Sequence, residues 1–329
     1  MKRDKLRNEI FTIPDENTFV AKAIEVFRYQ YEENTIYQKF VDGFKTDIEE
    51  INSIEKIPFL PVELFKTHKI KSGNFQEQKI FTSSGTTSNQ SASHFVRDLK
   101  IYEEAFIKSF ETFYGYPGDY VFLALLPSYL ERSGSSLIFM MEELIKLSGD
   151  KRSGFFLDEF DQLFEVLTKL KEEKRKTILI GVTYALIDFA EAFQINFPEL
   201  IVMETGGMKG KRKEMIRAEV HELIMPKFGV DIIHSEYGMT ELMSQSYSLG
   251  NGIFKTPSWM RVFSREMYDP MQYCNFGATG GLNIVDLANI DSCSFVSTQD
   301  LGKVYENHSF EIIGRFDDSD IRGCNLMIE

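Results

Sequence analysis

From Asp15 onward, Phe19, Ala23 and Phe27 recur at four-residue steps with Val20 and Ile24 beside them, which gathers one apolar stripe on a helix. An amphipathic N-terminal helix is the first element expected. Farther on, the pattern becomes short unbroken apolar runs at 120–126, 177–181, 200–203 and 231–234, as in strands buried on both faces. Helix-period segments lie between them: 135–147, with Leu137, Met140, Met141 and Leu144 on one side, and the charged stretch 158–176. Strand alternating with helix predicts an α/β domain whose mixed or parallel sheets are flanked by helices. After Trp259 the texture changes to short strand candidates at 281–286, 294–298 and 310–314, which predicts a small β-rich subdomain. The expected division is 1–260 for the α/β core and 261–329 for the β-rich part, working as one continuous unit.

Composition narrows the function classes more than the fold. The 329 residues, 43% of them hydrophobic, suffice for one large core or two smaller ones. Asp and Glu number 50 against 37 Lys and Arg, and the net charge of -13 weighs against nucleic acid or anionic lipid as a partner. No apolar run approaches the roughly 18 residues of a membrane span, and MKRDKLRNE leads into no signal-peptide stretch, so a cytoplasmic protein without a membrane span is expected. Cys274, Cys293 and Cys324 have no metal-ligand spacing, which weighs against a zinc site or a disulfide frame.

Three segments carry candidate chemistry. FTSSGTTSNQ (81–90) crowds hydroxyls around Gly85 in a stretch with neither helical nor strand period. Such a loop either wraps a phosphate, since glycine lets the backbone approach and N–H and O–H donors converge on the anion, or is a plain solvent loop. It has no lysine, and GxxxxGK[ST] occurs nowhere in the chain, which disfavours a P-loop NTPase. HSEYGMTE (234–241) follows an apolar run and is expected at the carboxyl end of a strand, where open α/β sheets bind ligands. There Tyr237 would stack on a base, Thr240 would bond a phosphate and Glu241 would hold Mg²⁺; the alternative is a helix start capped by Thr240 or Glu241. In STQDLG (297–302) and GRFDDSDIRGCNLM (314–327), Asp300 and Arg315 suit ribose hydroxyls or a phosphate, or are a turn aspartate and a surface ion pair. Asp317, Asp318 and Asp320 lack the Gly and distal Glu of an EF-hand loop.

Taken in order, SSGTT, YGMTE, TQD and GRFDD resemble the motifs of the adenylate-forming superfamily of acyl-CoA synthetases, luciferases and adenylation domains. Within it, IPFLPVELFKTHKI (57–70), SSGTTSNQSASHF (83–95), HSEYGMTELMSQSYS (234–248) and DIRGCNLM (320–327) are most similar to the acyl-protein synthetase (LuxE-type) family, with phenylacetate–CoA ligases second. The resemblance runs over nearly the whole chain. It implies that Ser83, Ser84, Gly85, Thr86 and Thr87 form the phosphate loop, and that Gly206, Gly207, Tyr237 and Gly238 surround the adenine. Asp300 and Arg315 would meet the ribose, and Thr240 and Glu241 would serve the phosphate and Mg²⁺. The implied reaction joins a carboxylic acid, fatty or aromatic, to ATP as an acyl-adenylate. In LuxE-type proteins a C-terminal cysteine then takes the acyl group as a thioester for a partner protein, reductase- or carrier-like, and Cys324 falls at that position. Its alternative is a small buried cysteine in a turn. Cys274 and Cys293 read as structural, while His94 and His234 either orient an acyl phosphate or thiol or belong to the scaffold.

Two departures shape the expectation. After the phosphate loop, Ser88, Asn89 and Gln90 stand where the superfamily usually has Gly and then Lys, leaving Arg97, Lys209 or Lys211 as possible substitutes. The sequence also stops at Glu329, shortly after the segment where CoA ligases continue into a C-terminal lid domain. An absent lid makes CoA a less favoured acceptor than a protein. The remaining readings are a CoA ligase of the phenylacetate type and a catalytically weak nucleotide-binding subunit, with an oligomer possible in any case.

Overall fold

The computed structural model describes residues 2–45, 47–83, 91–127, 134–207, 211–212, 215–267 and 269–315. The chain divides into two compact units, one of Gln78–Ser93 and Asp98–Pro257, the other of Met1–Glu77, His94–Arg97 and Ser258–Glu329. One boundary between the units falls at Ser258. The N-terminal residues, however, group with the strand-rich tail rather than with the α/β core, because their helices make their buried contacts there. Gln30 donates through Nε2 to the Asn289 and Ile290 carbonyls at 2.9 and 3.0 Å and accepts from the Ser294 N–H at 2.8 Å. Asp291 receives Nε and Nη2 of Arg3 at 2.8 and 2.6 Å.

The α/β unit is built on a sheet running in the order Gly154–Phe156, Val121–Leu125, Thr177–Val182, Ile201–Thr205, His234–Tyr237, Ser246–Ser248 and Ile253–Lys255. The first five strands are parallel and the last two antiparallel. Val121–Leu125 and Thr177–Val182 are buried at every position, which is why they read as unbroken apolar runs. Helices Ser136–Ser148, Phe160–Glu172, Thr183–Ala192 and Arg217–Phe228 connect the parallel strands. Ser135 starts the first by accepting from the Ile138 N–H at 3.3 Å, and Gly149, at φ 64°, ends it in the left-handed conformation that costs glycine least. After Val121–Leu125 the chain moves outward to the sheet's edge, then returns to pair Thr177–Val182 on the other side. In open α/β sheets, ligands bind outside the carboxyl ends of strands where the order reverses in this way.

The second unit carries Glu16–Glu33, capped by Asp15 accepting from the Thr18 N–H at 2.8 Å, against the helices Lys2–Glu9 and Thr35–Asp42. Its strands Met260–Arg265, Thr279–Asp286, Phe295–Val304 and Phe310–Arg315 form an antiparallel series, with Leu60–Pro61 added in parallel to the third. Phe27, Tyr37 and Phe59 pack their rings on Phe295 and fill its core.

One expected element is displaced. The strand anticipated at 231–234 begins only at His234 and runs to Tyr237. Asp231 and Ile232 are exposed, and the parallel ladder starts where His234 meets Met203. HSEY therefore lies within the strand and its carboxyl end falls at Tyr237. No helix follows: Leu242 N–H bonds the Met239 carbonyl at 3.2 Å in a turn that leads to the next strand, so the capping alternative for Thr240 and Glu241 does not hold.

Gly181 sets a packing limit near the carboxyl end of Thr177–Val182, since a Cβ there would come within 2.9 Å of the Leu186 side chain and 3.2 Å of the Leu125 carbonyl oxygen. Gly181→Val is expected to cost about 1–3 kcal/mol in urea unfolding. An unchanged midpoint would show that the strand and helix yield freely.

Candidate functional site

The described ends of the hydroxyl-rich loop are tied at the carboxyl edge of the α/β unit. Ser83 N–H donates to the Ala92 carbonyl at 3.0 Å, and its Oγ accepts from the Ala92 N–H at 2.9 Å, closing the base of the loop while leaving the hydroxyl proton to donate. Next to it, Thr82 N–H bonds the Gly134 carbonyl at 2.8 Å, at the end of the connection that leaves Val121–Leu125. Gly134 has φ +101° and would place a Cβ 2.8 Å from Thr82 Oγ1, so this junction needs a glycine. Ser84, Gly85, Thr86 and Thr87 lie outside the described residues.

Along the same edge, Gly206 and Gly207 follow Ile201–Thr205, and Tyr237, Gly238 and Thr240 follow or end the neighbouring strand. Gly206, at φ +67°, is exposed, and its carbonyl accepts from Thr183 Oγ1 at 3.5 Å. Gly238 is exposed as well, while Thr240 is half-buried and Glu241 buried. The Tyr237 ring packs edge-on against Phe254 with centroids 6.1 Å apart, and its hydroxyl reaches Met239 Sδ at 3.3 Å.

Beneath these residues are two buried carboxyls that sequence reading did not single out. Glu204 and Ser235 sit opposite one another in the ladder, and Ser235 Oγ donates to Glu204 Oε1 at 2.9 Å. The same oxygen receives Arg217 Nε at 2.7 Å and lies 3.3 Å from His221 Nε2, which fastens the start of Arg217–Phe228 to the strand. Burial works to raise the Glu204 carboxyl, but its bond with His221 and the Arg217 charge outweigh burial and hold it below the ordinary value.

One residue along on each strand, and so on the opposite face, Thr205 Oγ1 donates to Glu236 Oε2 at 2.6 Å. Glu236 is 8% exposed, and burial pushes its carboxyl up to about 7. A Cβ on Gly238 would come within 2.6 Å of its other oxygen, so a side chain at that motif position would require the Glu236 carboxyl to shift. The apolar runs that read as strands end at Met203 and His234, short of both carboxyls.

In the other unit, Asp300 is 5% exposed and accepts Arg315 Nε at 2.9 Å, the two residues facing each other across paired strands. His234 is half-buried at the amino end of its strand, with Nδ1 3.1 Å from the Tyr114 hydroxyl, and burial lowers it to about 4, so it is neutral near pH 7. His94 is buried edge-on against Phe65. Burial raises the thiols of Cys274 and Cys293, the latter to about 12, so neither is a thiolate at neutral pH. Arg97 lies 3.7 Å from Asp291; Lys209 and Cys324 lie outside the described residues. Among the described residues no three His, Cys, Asp or Glu converge as a metal cage. A single carboxylate at Glu241 suits Mg²⁺, which is commonly held by one or two carboxylates together with phosphate oxygens and water. No helix among the described residues is long and apolar enough to cross a membrane.

Neither a protein-family model nor a curated protein matches the sequence. Solved structures do match the fold. 2-Hydroxyisobutyryl-CoA ligase, in the postadenylation state with R3-HIB-AMP, superposes with a TM-score of 0.62 at 13% identity, over 94% of this chain and 70% of that one. ATP-bound MatB from Rhodopseudomonas palustris gives 0.54 at 15% identity, over 72% of this chain and 47% of that one, and its apo form gives 0.52. The chain thus spans about half the length of MatB. The likeness establishes the fold, which is the large mixed α/β architecture with flanking helices expected for an adenylate-forming domain.

The buried carboxyl of Glu236 gives a pH signature. Its folded value near 7 lies above the ordinary 4.5, so its contribution to stability is complete below about 4.5 and is lost as the pH rises through about 7. Glu236→Gln stays neutral throughout. Its Tm relative to wild type should therefore climb between about pH 5 and about pH 8. A constant difference would show that the carboxyl titrates normally in the folded protein.

Proposed function

We propose that this protein activates a carboxylic acid with ATP, forming an acyl-adenylate, and passes the acyl group through a Cys324 thioester to a partner protein. The observation that carries the reading is the arrangement of the α/β unit's carboxyl edge. Three motif segments meet ordered backbone there: the closed base of the hydroxyl loop at Ser83, the Thr205–Gly206–Gly207 turn, and the strand end at Tyr237–Gly238. Exposed glycines let a planar base and a polyphosphate approach the backbone, and hydroxyl donors suit the phosphates. The edge lies on the side of the sheet where open α/β folds bind nucleotides. Support for the adenylate also comes from the fold, shared with a ligase captured with an acyl-AMP compound and with an ATP-bound protein.

In the first step a carboxylate oxygen of the acid attacks the α-phosphorus of ATP, the bond to the β-phosphate oxygen breaks and pyrophosphate leaves. Catalysis of such a step rests on alignment and on stabilising charge that spreads over phosphate oxygens. Ser83, Ser84, Thr86 and Thr87 would hold the β- and γ-phosphates, and Thr240 the α-phosphate. Tyr237 and the glycines would hold adenine, and Asp300 with Arg315 the ribose. Glu241 would hold Mg²⁺, which when bound neutralises phosphate charge. In the second step the Cys324 thiolate attacks the acyl carbonyl, the bond to the phosphate oxygen breaks and AMP leaves. Burial disfavours the thiolates of Cys274 and Cys293, and Cys324 stands where the LuxE-type proteins that the sequence resembles carry their acyl-accepting cysteine. His234, neutral and bonded to Tyr114 at the far end of its strand, has a supporting role in this scheme. CoA is the alternative acceptor, favoured by the likeness to 2-hydroxyisobutyryl-CoA ligase.

Exchange of labelled pyrophosphate into ATP, dependent on an added carboxylic acid, is the expected activity, and Thr240→Val should lower it roughly tenfold or more. Absence of exchange across fatty, aromatic and hydroxy acids would overturn the activation step. Labelled acid and ATP should leave hydroxylamine-labile label on wild type and none on Cys324→Ser. Equal labelling of the two, or acyl-CoA formation by Cys324→Ser, would move the second step to CoA or another acceptor.

A further inference from the structure

The strand that carries Asp300 is irregular at that residue. Gly281 pairs with Leu301 and Asn283 pairs with Ser297, so Leu282 alone stands opposite Thr298, Gln299 and Asp300. A bulge of this kind re-aims side chains, and unsupported it leaves ladder groups without partners. Here two side chains fill it. Thr298, 2% exposed, donates through Oγ1 to the Leu282 carbonyl at 2.9 Å, and the same oxygen accepts the Asp300 N–H at 3.1 Å. Arg265, at the end of the next strand but one, crosses the sheet and donates Nη2 to the Thr298 carbonyl at 3.0 Å. Its guanidinium occupies the space beside Gly281: a Cβ there would sit 1.6 Å from Nη1 and 2.5 Å from Cζ. The neighbouring Gly280 is equally confined, its Cβ position lying 2.4 Å from the Arg265 carbonyl oxygen and 2.6 Å from Cys274 Sγ.

Placing a half-buried arginine over two adjacent glycines carries a cost. Burial of the cation opposes its charge, with Glu63 partly compensating. A simple β-ladder at the same place would need no such group. What the arrangement secures is the backbone of Thr298–Asp300, and with it the direction of the Asp300 carboxylate that Arg315 meets at 2.9 Å.

We infer that Arg265 and Thr298 are positioning residues for nucleotide recognition: together they hold open the bulge that aims Asp300 at the ribose hydroxyls. Neither touches the nucleotide, and both act through Asp300. The inference rests on the proposed role of Asp300 as a ribose contact.

The test compares ATP with 2′-deoxy-ATP and 3′-deoxy-ATP in acid-dependent pyrophosphate exchange, for wild type, Asp300→Ala, Arg265→Met and Thr298→Val, with Tm measured in parallel. Arg265→Met is expected to raise KM for ATP roughly tenfold with kcat changed less than about threefold, and to shrink the preference for ATP over the deoxy nucleotides toward that of Asp300→Ala. Thr298→Val, which keeps the buried volume and removes only the hydroxyl, should shift the preference in the same direction, and is read by itself if Arg265→Met does not fold. A lowered Tm with the wild-type preference retained in the folded variants would make both residues purely structural and overturn the inference. If wild type discriminates against the deoxy nucleotides but Asp300→Ala does so equally, the reading of Asp300 fails, and the inference with it. No exchange by wild type with any acid would instead overturn the proposed activation step itself.

Discussion

The candidate site of the α/β unit depends on the register between two short strands. Ile201–Thr205 and His234–Tyr237 pair through Met203 with His234 and Glu204 with Ser235. Because side chains alternate across a strand, this register sends Glu204 and Ser235 to one face and Thr205 and Glu236 to the other. A slip of one residue would exchange them. Glu236 would then lose the Thr205 hydroxyl, and Glu204 would lose Ser235 while remaining beside Arg217. In the observed register both carboxyls meet a hydroxyl across the ladder, and the penalty for burying Glu236 without a partner is several times the worth of an ordinary hydrogen bond. The same pairing ends both strands at one edge, so the Gly206–Gly207 turn and the Gly238 turn emerge side by side.

The two carboxyls are held in different charge states by their neighbours. Glu204 faces a guanidinium and a histidine and remains ionised, anchoring the helix that returns toward the next strand. Glu236 has a hydroxyl and aromatic surroundings, so it keeps its proton up to about pH 7. Below about pH 7 that carboxyl is mostly neutral and adds little negative charge beneath the edge, and above it the carboxylate forms. This matters more because the hydroxyl loop carries no lysine of its own. The charged clamp that ties 211–212 to Thr183–Ala192, in which Arg212 meets Glu191 at 2.6–2.9 Å as well as Asp188, is directed at the helix and not at the edge.

Much of the fold was legible because its strongest signals are local. Strands buried on both faces read as apolar runs, and the boundaries of Val121–Leu125, Thr177–Val182 and Ser136–Ser148 fell within a residue or two of the expected ones. The strand at His234–Tyr237 was misplaced because Ser235 and Glu236 are polar yet buried, satisfied by partners from a strand some thirty positions earlier that no local window contains. The same cause hid Glu204 and Glu236 as members of the site. The association of the N-terminal helices with the strand-rich tail was hidden for a similar reason. It rests on Gln30 and Arg3 meeting 289–294, where a glutamine or arginine on a helix reads as an ordinary solvent-facing residue. The motif residues Ser83, Gly206 and Tyr237 stand at strand ends or turns, and Asp300 stands within a strand.

The two units treat register in opposite ways, and the contrast follows from what each motif must do. In the α/β unit the motifs sit beyond the ends of strands, so a regular ladder suffices: it brings backbone turns to an edge and leaves them free to approach a ligand. Asp300 lies within a strand that continues to Val304. Three residues opposite one interrupt the pairing there, although burial still alternates from Val296 to Val304, and Arg265 and Thr298 supply hydrogen bonds where the ladder is interrupted. Glycines at 280 and 281 are the steric condition for this, since any side chain at 281 would occupy the guanidinium's place. Thus a GG pair, a distant arginine and a buried threonine, unremarkable when read singly, are bound together by the geometry of one bulge.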